Sequence, residues 1–420
     1  MDHFNLRDGG VHCEDVPLSL IAETVGTPVY VYSTATLTRH VTALKNALAG
    51  LDDPIVAYAV KANPNAAVLA TLARLGLGAD VVSGGEYRRA RAAGMAAERI
   101  VFSGVGKTAE EMALALSEGL FQFNLESLAE AETLSGVAQS LGIEAPAGFR
   151  INPDVVAGTH AKITTGAADN KFGVALPDAL AAYRQASRLP GIKLQGVAVH
   201  IGSQLTSLAP LESAFTKIGD LIAGLRAAGC NIKVADLGGG LGVPYDPDLP
   251  PPPTPEDYGT MVARVTRGWN ARLVFEPGRL IAGNAGILLT RVIRLKPGAA
   301  HPFVIVDAAM NDLMRPALYD AWHAIDAVQP RGGKFTANVV GPVCETGDTF
   351  ATARPMDEVA EGDLLFFRTA GAYAAAMSST YNSRPLTPEV LVAGKRWAVV
   401  RKRLPLEALI ERDTVPDWLR

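Results

Sequence analysis

One pattern repeats along the chain from about residue 34 to residue 284: a strand-length apolar run, a few small or polar residues, then a segment with helical spacing. The eight runs are Ile55–Val60, Ala79–Val82, Ile100–Phe102, Phe121–Asn124, Gly148–Ile151, Leu194–His200, Ile232–Leu237 and Leu273–Glu276. Strands that alternate with helices predict parallel βαβ units, and eight units in about 240 residues are typical of a TIM barrel. An open doubly wound sheet is the alternative that the same pattern allows.

The residue pattern changes after about residue 284. β-branched and apolar runs separated by glycine-rich turns predict a second, mostly antiparallel β domain of sandwich or barrel type. These runs are Ile287–Leu295, Phe303–Asp307, Thr336–Val340, Leu364–Phe367, Glu389–Val392 and Trp397–Arg401, with one helical segment at Asn311–Val328. The strand-like Pro28–Tyr32 suggests that the N-terminal segment joins this domain.

The expected domains are therefore an N-terminal segment of residues 1–33 joined to the β domain, a barrel of residues 34–284, and a C-terminal β domain of residues 285–420. The proline-rich stretch Pro244–Pro255 is expected to be a loop within the barrel, because the eighth strand lies beyond it.

Composition excludes several classes of protein. The 420 residues are 48% hydrophobic and carry a net charge of −4, which gives no general attraction for nucleic acid or anionic membranes. No apolar run approaches the roughly 18 residues of a membrane span, and no secretory signal is visible. Cys13, Cys230 and Cys344 are too few and too scattered for a disulfide framework or a metal site. We therefore expect a cytoplasmic protein without a bound metal.

Polar and glycine residues follow the apolar runs. Lys61 follows the first run, His200 ends the sixth, Gly238–Gly242 follows the seventh, and Glu276 and Arg279 stand at the end of the eighth. Since the active site of a TIM barrel lies at the C-terminal ends of its strands, we expect these residues to gather at one rim.

Lys61 is either an ordinary lysine that points at solvent or a Schiff-base lysine. Desolvation at the end of a buried strand disfavours the ammonium form, and only a neutral amine attacks a carbonyl. The glycine run offers backbone N–H groups to a phosphate, although a tight turn explains it equally well. His200 is either a hydrogen-bonded core histidine or a ring stacked on a flat cofactor. Glu276 needs a nearby cation, either Arg279 in a surface ion pair or a protonated pyridine nitrogen.

An amine, a phosphate cradle, a stacking ring and a carboxylate together describe a site for pyridoxal 5′-phosphate (PLP). Lys61 would hold the aldehyde, and the glycine loop with Ser203 would hold the phosphate. His200 would lie on the ring, and Glu276 would keep the ring nitrogen protonated so that the ring accepts electrons.

Motifs in both halves of the chain resemble one family. Those of the barrel resemble the alanine-racemase-fold PLP-dependent decarboxylases: Tyr58-Ala-Val-Lys61-Ala-Asn63, His200-Ile-Gly-Ser-Gln204, Asp236-Leu-Gly-Gly-Gly-Leu-Gly242 and Glu276-Pro-Gly-Arg279. Those of the β domain narrow the resemblance to the diaminopimelate decarboxylase family: Met310-Asn-Asp-Leu-Met-Arg315-Pro-Ala-Leu-Tyr319, Gly341-Pro-Val-Cys344-Glu345-Thr-Gly-Asp348 and the stretch from Gly371 to Arg384. The likeness covers nearly the whole chain.

The resemblance implies a reaction and an assembly. The reaction is PLP-dependent decarboxylation of meso-2,6-diaminopimelate to L-lysine and CO₂, the last step of lysine biosynthesis. The assembly is a homodimer with active sites shared between chains, in which Cys344 and Glu345 come from the neighbouring chain. No nucleic-acid or membrane partner is expected.

The resemblance also implies residue roles. Lys61, His200 and Cys344 would be catalytic, with Cys344 as the proton donor to the reacting carbon. The cofactor would be bound by Lys61, His200, Ser203, Gly239, Gly240, Glu276, Gly278, Arg279 and Tyr373. The substrate would be bound by Arg279, Arg315, Tyr319, Glu345 and Tyr373. The chain departs from the family pattern at Thr346, Ala374, Ala375 and Thr380, none of which removes a catalytic group.

Plainer interpretations of the β-domain residues remain open. Cys344 suits a small buried apolar residue, Tyr373 suits a core aromatic, and Arg315 and Tyr319 would share one helix face. Two other functions are also open: a decarboxylase for ornithine, arginine or a carboxynorspermidine-type polyamine precursor, and a non-catalytic PLP-binding relative. The arginines argue against the first, and Lys61, Cys344 and Glu345 together argue against the second.

Overall fold

A computed structural model describes residues 2–156 and 170–420 of the chain. The chain divides into two compact units. The barrel unit comprises Thr38–Pro244 and Pro250–Ile281, and the β unit comprises the residues up to Leu37, Tyr245–Leu249 and Ala282–Arg420. The domain limits 1–33, 34–284 and 285–420 stay predictions beside this division.

The N-terminal part of the β unit is a small antiparallel sheet followed by a helix and a further strand. The elements are β1 (Phe4–Arg7), β2 (Gly10–Cys13), β3 (Val16–Pro17), α1 (Leu18–Val25) and β4 (Val29–Ser33). β1 pairs with β2 and β2 with β3, whereas β4 belongs to the large sheet described below.

Eight parallel strands close into the predicted barrel. They are β5 (Ile55–Ala59), β6 (Gly78–Val81), β7 (Ile100–Phe102), β8 (Gln122–Leu125), β9 (Ala145–Asn152), β11 (Ile192–Ala198), β12 (Val234–Asp236) and β13 (Arg272–Phe275). A short β10 (Val174–Ala175) pairs with β9 outside the ring. The ring closes because β13 pairs with β5, with Val274 opposite Ile55. This closure excludes the open doubly wound sheet.

Helices precede, connect and follow the barrel strands. They are α2 (Thr34–Ala47), α3 (Ala66–Arg74), α4 (Gly84–Ala92), α5 (Ala109–Ser117), α6 (Leu128–Leu141), α7 (Ala179–Ala186), α8 (Ala209–Ala227), α9 (Pro255–Val265) and α10 (Arg279–Ala282). A polar side chain that accepts a backbone hydrogen bond caps the N-terminus of five of them: Asn65, Ser83, Thr108, Ser127 and Thr254. Within the described residues, no helix has both the length and the apolar character needed to cross a bilayer.

The barrel strands are buried on both faces, as a parallel sheet requires. An apolar cluster formed by Ile55, Ala57, Val101, Val234 and Val274 joins the first, third, seventh and eighth strands of the ring. Polar side chains replace these apolar ones toward the C-terminal ends of the strands, where the candidate site lies.

The β unit contains the second predicted sheet. Its remaining elements are β14 (Gly286–Lys296), β15 (Phe303–Val306), α11 (Arg315–Tyr319), β16 (Ile325–Ala327), β17 (Lys334–Val340), β18 (Thr349–Asp357), β19 (Leu364–Phe367), β20 (Glu389–Ala393), β21 (Arg396–Arg401) and α12 (Leu406–Ile410). The strand order is β18-β17-β15-β14-β4-β20-β21, with β19 pairing β14 and β16. β4 is antiparallel to β14 and parallel to β20, so the N-terminal segment joins this sheet as predicted.

Three sequence expectations need correction. The helix expected over Asn311–Val328 is wrong, because only α11 is helical there; Asp320, in the left-handed region at φ 52°, ends it, and β16 follows. β18 was not predicted, since its sequence is rich in small residues and contains Pro355. The loop Pro244–Pro255 does not belong wholly to the barrel, because Tyr245–Leu249 group with the β unit.

Candidate active site

Lys61 lies directly beyond the first barrel strand. β5 is buried throughout, and Lys61 occupies a 3₁₀ turn, Val60–Ala62, that follows it. Its Nζ donates a hydrogen bond to Asp80 Oδ2 at 3.0 Å, and Asp80 is fully buried at the end of β6. The lysine side chain is 39% exposed, which is more than its place after a buried strand had predicted. A buried carboxylate therefore holds an accessible amine at the C-terminal rim.

Two further carboxyl groups lie at the same rim, that of Asp236 buried and that of Glu276 half-buried. Asp236, at the end of β12, accepts hydrogen bonds from Asn124 Nδ2 at 2.8 Å and from the Gly238 N–H at 3.0 Å. Glu276 follows β13, and its side chain is hydrogen-bonded to that of Asp236. Asp80, Asp236 and Glu276 thus place three acidic groups around one lysine.

This crowding alters the protonation of the acids. Burial raises the pKa of Asp236 from 3.8 to about 6, against the opposing effect of its hydrogen bonds. Burial, and then the negative charges of Asp236 and Asp80, raise the pKa of Glu276 well above its usual range. Glu276 is consequently the group that keeps a proton, which it donates to Asp236.

The glycine loop after β12 is closed in by neighbouring main chain. A Cβ on Gly238 would lie 2.5 Å from Val199 O, and one on Gly240 would lie 2.6 Å from Gly202 O. A Cβ on Gly239 would collide with Glu276 O. Gly238 and Gly240 also have positive φ values of 64° and 116°, which favour glycine. The loop therefore presents only main chain, as a phosphate cradle requires.

His200 is half-buried and neutral beside this loop. Its Nδ1 accepts a hydrogen bond from the Gly239 N–H at 3.3 Å, which leaves the ring proton on Nε2. Burial, and then the positive charges of Arg150 and Lys61, lower the pKa of His200 well below its usual value. A neutral ring held by the glycine loop suits the stacking role expected of it.

Arg279 places a buried positive charge at the same rim. It begins α10 directly after Gly278, is only 6% exposed, and donates from Nη2 to Ser203 Oγ at 3.2 Å. Ser203 follows Gly202, whose carbonyl packs against Gly240. The structure thus brings together all eight site residues predicted in the barrel: Lys61, His200, Ser203, Gly239, Gly240, Glu276, Gly278 and Arg279.

The five remaining predicted residues lie in the β unit. Arg315 begins α11, is 6% exposed and donates from Nη1 to His323 Nε2 at 2.9 Å, while Tyr319 ends the same helix half-buried. Tyr373 is half-buried and has a positive φ of 54°, which is strained for a tyrosine. A glycine precedes it by two residues: a Cβ on Gly371 would collide with Ala282 O.

Cys344 and Glu345 form an exposed turn of the β unit. The Cys344 N–H donates to Asn382 Oδ1 at 3.2 Å, and Glu345 Oε2 accepts from the Tyr381 hydroxyl at 3.0 Å. Cys344 is exposed, so the interpretation as a small buried apolar residue is wrong. A thiol and a carboxylate that face outward suit groups that serve another chain.

Sequence reasoning gave no role to several residues of the site. Asp80 and Arg150 stand at the predicted rim and Asp236 opens a quoted motif, but each lies within a strand run and none was assigned a function. In the structure, Arg150 Nη2 donates to His200 O at 3.2 Å, and its Nη1 lies 3.3 Å from Glu126 Oε1. No local pattern reveals the pairing of Arg150 with Glu126, since the two residues belong to different segments.

Comparison with known proteins assigns the chain to a class. The family model described as "Pyridoxal-dependent decarboxylase, pyridoxal binding domain" matches residues 34–283. The chain therefore belongs to the pyridoxal-dependent decarboxylases, as its motifs predicted. It is also 55% identical to the diaminopimelate decarboxylase of Zymomonas mobilis over 418 residues, 99% of each chain. Within the wider family, it belongs to the diaminopimelate decarboxylases.

Solved structures agree with this assignment. The crystal structure of the M. jannaschii diaminopimelate decarboxylase in co-complex with L-lysine superposes with a TM-score of 0.96 at 35% identity, covering 100% of this chain and 99% of that one. That of the Helicobacter pylori enzyme complexed with L-lysine has a TM-score of 0.90 at 39% identity, covering 94% and 98%. The predicted fold class, cofactor and enzyme class are thereby confirmed.

The residues of the barrel rim fit PLP. Lys61 offers an amine for an aldehyde, and the main-chain loop beside Arg279 suits a phosphate. Three acidic groups, Asp80, Asp236 and Glu276, lie near one lysine, so a further cation such as a protonated pyridine nitrogen would be stabilised there. Moreover, Asp80 Oδ1 is buried and has no hydrogen-bond partner among the residues that the structure describes.

We predict that Glu276→Gln stabilises the PLP-free protein at neutral pH. A buried acid whose pKa is raised binds its proton more tightly when folded, so its stabilising contribution is present at low pH and lost as pH rises. For Asp236 this window runs from about pH 4 to about pH 6, and for Glu276 it extends higher. The amide of glutamine mimics the protonated acid, so we expect the variant's advantage in unfolding free energy to grow between pH 5 and pH 8.

Urea unfolding at several pH values measures this difference. The exposed Glu256 at the start of α9 offers a matched control, since Glu256→Gln makes the same chemical change at the surface. If the unfolding free energies of wild type and Glu276→Gln changed with pH in parallel, this would contradict the assignment of the proton to the pair of Asp236 and Glu276.

Proposed function

We propose that the chain decarboxylates meso-2,6-diaminopimelate to L-lysine and CO₂, with PLP as its cofactor. The observation that carries the proposal is the amine of Lys61 held against buried Asp80, in a rim that also contains Asp236, Glu276 and a main-chain glycine loop. Membership of the diaminopimelate decarboxylases supports the choice of substrate. L-lysine in the structures of two relatives matches the product.

Bound PLP supplies an electron sink for the bond that breaks when CO₂ leaves. Lys61 is the residue proposed to hold the cofactor's aldehyde. Asp80 keeps the Lys61 amine in place through a hydrogen bond of 3.0 Å. Gly239, Gly240 and Gly278, with the hydroxyl of Ser203 and the guanidinium of Arg279, are proposed to bind the phosphate, because they combine open main chain with a buried positive charge.

The acids of the rim set the protonation of the site. The proton held by Glu276 lies beside the carboxylate of Asp236, so this pair can place a proton on a pyridine nitrogen and stabilise the resulting charge. His200 stays neutral, because burial and Arg150 oppose its protonation. A neutral ring adds no second cation to the cofactor face.

The distal end of the substrate carries both an ammonium and a carboxylate. Arg279 and Arg315 are proposed to bind the carboxylate, because both guanidinium groups are buried and each bond to a carboxylate would be charge-assisted. Glu345 is proposed to bind the ammonium, with Tyr319 and Tyr373 completing the contacts. Ornithine and arginine lack the distal carboxylate, so this set of charges does not favour them.

Cys344 is proposed to deliver a proton from Sγ to the carbon that loses CO₂. Its exposed position allows it to reach a site on another chain, and the role requires a free thiol. A reducing compartment keeps the thiol free, and for this reason we propose a cytoplasmic location.

A homodimer is part of the proposal. Cys344 and Glu345 face outward from the β unit, where the contacts with Asn382 and Tyr381 hold their turn. Since two-fold dimers are the commonest homo-oligomers, each chain would complete the site of its partner.

We predict that the PLP-loaded protein releases CO₂ from meso-diaminopimelate and forms L-lysine. Ornithine, arginine and carboxynorspermidine serve as alternative substrates in the same assay, and Lys61→Ala serves as the inactive control. Faster release from one of these alternatives would refute the proposed substrate, and no release from any of them would support a non-catalytic PLP-binding protein.

Arg315→Ala should raise the KM for meso-diaminopimelate. Loss of one hydrogen bond to a charged group costs about 1.5–3 kcal/mol, which corresponds to roughly a 10- to 150-fold change. Arg331→Ala is the control, because Arg331 forms an exposed ion pair with Asp363 in the same unit. An unchanged KM in Arg315→Ala would show that the distal carboxylate binds elsewhere.

The shared sites should be detectable by mixing two inactive variants. A chain with Lys61→Ala and a chain with Cys344→Ala, allowed to exchange subunits, form mixed dimers with one intact site. Activity should return to about a quarter of the wild-type value, since half of the dimers are mixed and each has one working site of two.

The control for this experiment mixes Lys61→Ala with a chain carrying both substitutions, a combination in which no dimer contains an intact site. Equal, negligible activity in the two mixtures would argue that Cys344 acts within its own chain.

A further inference from the structure

We propose that His323 is a positioning residue, which orients Arg315 for the distal carboxylate of the substrate without neutralising its charge. The inference rests on the proposed function, because that function assigns Arg315 to the carboxylate. It adds a residue that none of the sequence motifs singles out. All the contacts that support it lie within the β unit.

The Arg315 guanidinium is held from two directions. In its plane, Nη1 lies 2.9 Å from His323 Nε2. From a second direction, Cζ lies over the Tyr245 ring, 4.6 Å from its centre. The rings of Tyr245 and His323 are themselves in contact, edge to face, at 5.3 Å and 85°. An aromatic ring and a hydrogen-bond acceptor, themselves in contact, together restrict the orientation of the guanidinium.

The hydrogen bonds define the protonation state of His323. Its Nδ1 lies 2.8 Å from the carbonyl oxygen of Arg368. A carbonyl only accepts, so Nδ1 carries the proton and Nε2 keeps its lone pair for the Arg315 N–H. The imidazole is therefore neutral. Its main chain is fixed as well, because Arg354 Nη1 donates to His323 O at 2.8 Å.

The charges that face His323 favour this state. Arg315 and Arg354 both direct guanidinium groups at the residue, and a protonated imidazole would be repelled by them. His323 is only 1% exposed, which adds desolvation to that repulsion. The ring consequently acts as a permanent neutral acceptor.

A neutral acceptor has a specific advantage at this position. A carboxylate would hold Arg315 more strongly, but it would also neutralise the guanidinium and repel the substrate carboxylate. An imidazole fixes the direction of the guanidinium and leaves its positive charge available. Because the side chain is ordered before the substrate arrives, less conformational entropy is lost on binding.

Three substitutions separate these effects. His323→Gln retains a neutral acceptor, His323→Glu retains an acceptor but adds a negative charge, and His323→Leu removes the acceptor. Glutamine and glutamate have nearly the same shape, so the comparison between them isolates charge. His301→Gln and His301→Leu are matched controls, since His301 lies in the same unit and outside the Arg315 cluster.

Each PLP-loaded variant is assayed for kcat and KM with meso-diaminopimelate, and for inhibition by L-lysine and by 1,5-diaminopentane. L-lysine retains the distal carboxylate and 1,5-diaminopentane lacks it. A positioning role therefore changes the first inhibition constant and leaves the second unchanged, whereas a general loss of structure raises both. Thermal unfolding of each variant records stability separately.

For His323→Leu, we expect the KM and the L-lysine inhibition constant to rise about tenfold, with kcat changed less than about threefold. For His323→Gln, both constants should remain within about threefold of the wild-type values. For His323→Glu, both should rise further than for His323→Leu, because a buried negative charge opposes the substrate carboxylate. If His323→Leu does not fold, the Gln and Glu variants still decide the question.

Equal effects on both inhibitors, or equal KM values for the Gln and Glu variants, would overturn the role of His323. The wild-type arm tests the proposed function separately. If the unaltered protein does not turn over meso-diaminopimelate, the proposed function fails, and this inference fails with it.

Discussion

Closure of the parallel barrel is the constraint on which the remaining features depend. Asp80, Asp236 and Glu276 are separated by up to about two hundred residues of chain, yet the ring places the ends of their strands side by side. Each acid would be costly to bury by itself. Asp80 is instead hydrogen-bonded to Lys61, and Asp236 to Asn124 and Glu276. The raised pKa values of Asp236 and Glu276 reflect the cost of burial that remains. The apolar interior of the barrel maintains this arrangement, since it keeps the strands in register.

The two units contribute different kinds of chemistry to the proposed reaction. The barrel supplies an amine, acids and open main chain, which suit a cofactor. The β unit supplies Arg315, Cys344 and Glu345, which suit recognition and protonation of a substrate. The first set is mostly buried on short loops after strands, whereas Cys344 and Glu345 lie on an exposed turn.

Sequence patterns predicted the barrel because its strands are nearly continuous apolar runs bounded by polar residues. They predicted Lys61, His200 and Glu276 because these residues stand where such runs end. The same logic noted Asp80 and Asp236 but gave them no role, because each lies within a run and not at its end. It also failed for Asn311–Val328, where helical spacing predicted one helix but the structure contains the short α11 followed by β16. Contacts such as Tyr245 with Arg315 join segments seventy residues apart and leave no local signal.

The glycine loop has a consequence for how such an enzyme changes under selection. Side chains at Gly238, Gly239 or Gly240 would clash with neighbouring carbonyl groups, so substitutions at these three positions should distort the glycine loop. Few mutations would give resistance to a compound that bound the glycine loop only through hydrogen bonds to its main chain. New substrate preferences would instead have to arise among the replaceable side chains of the β unit.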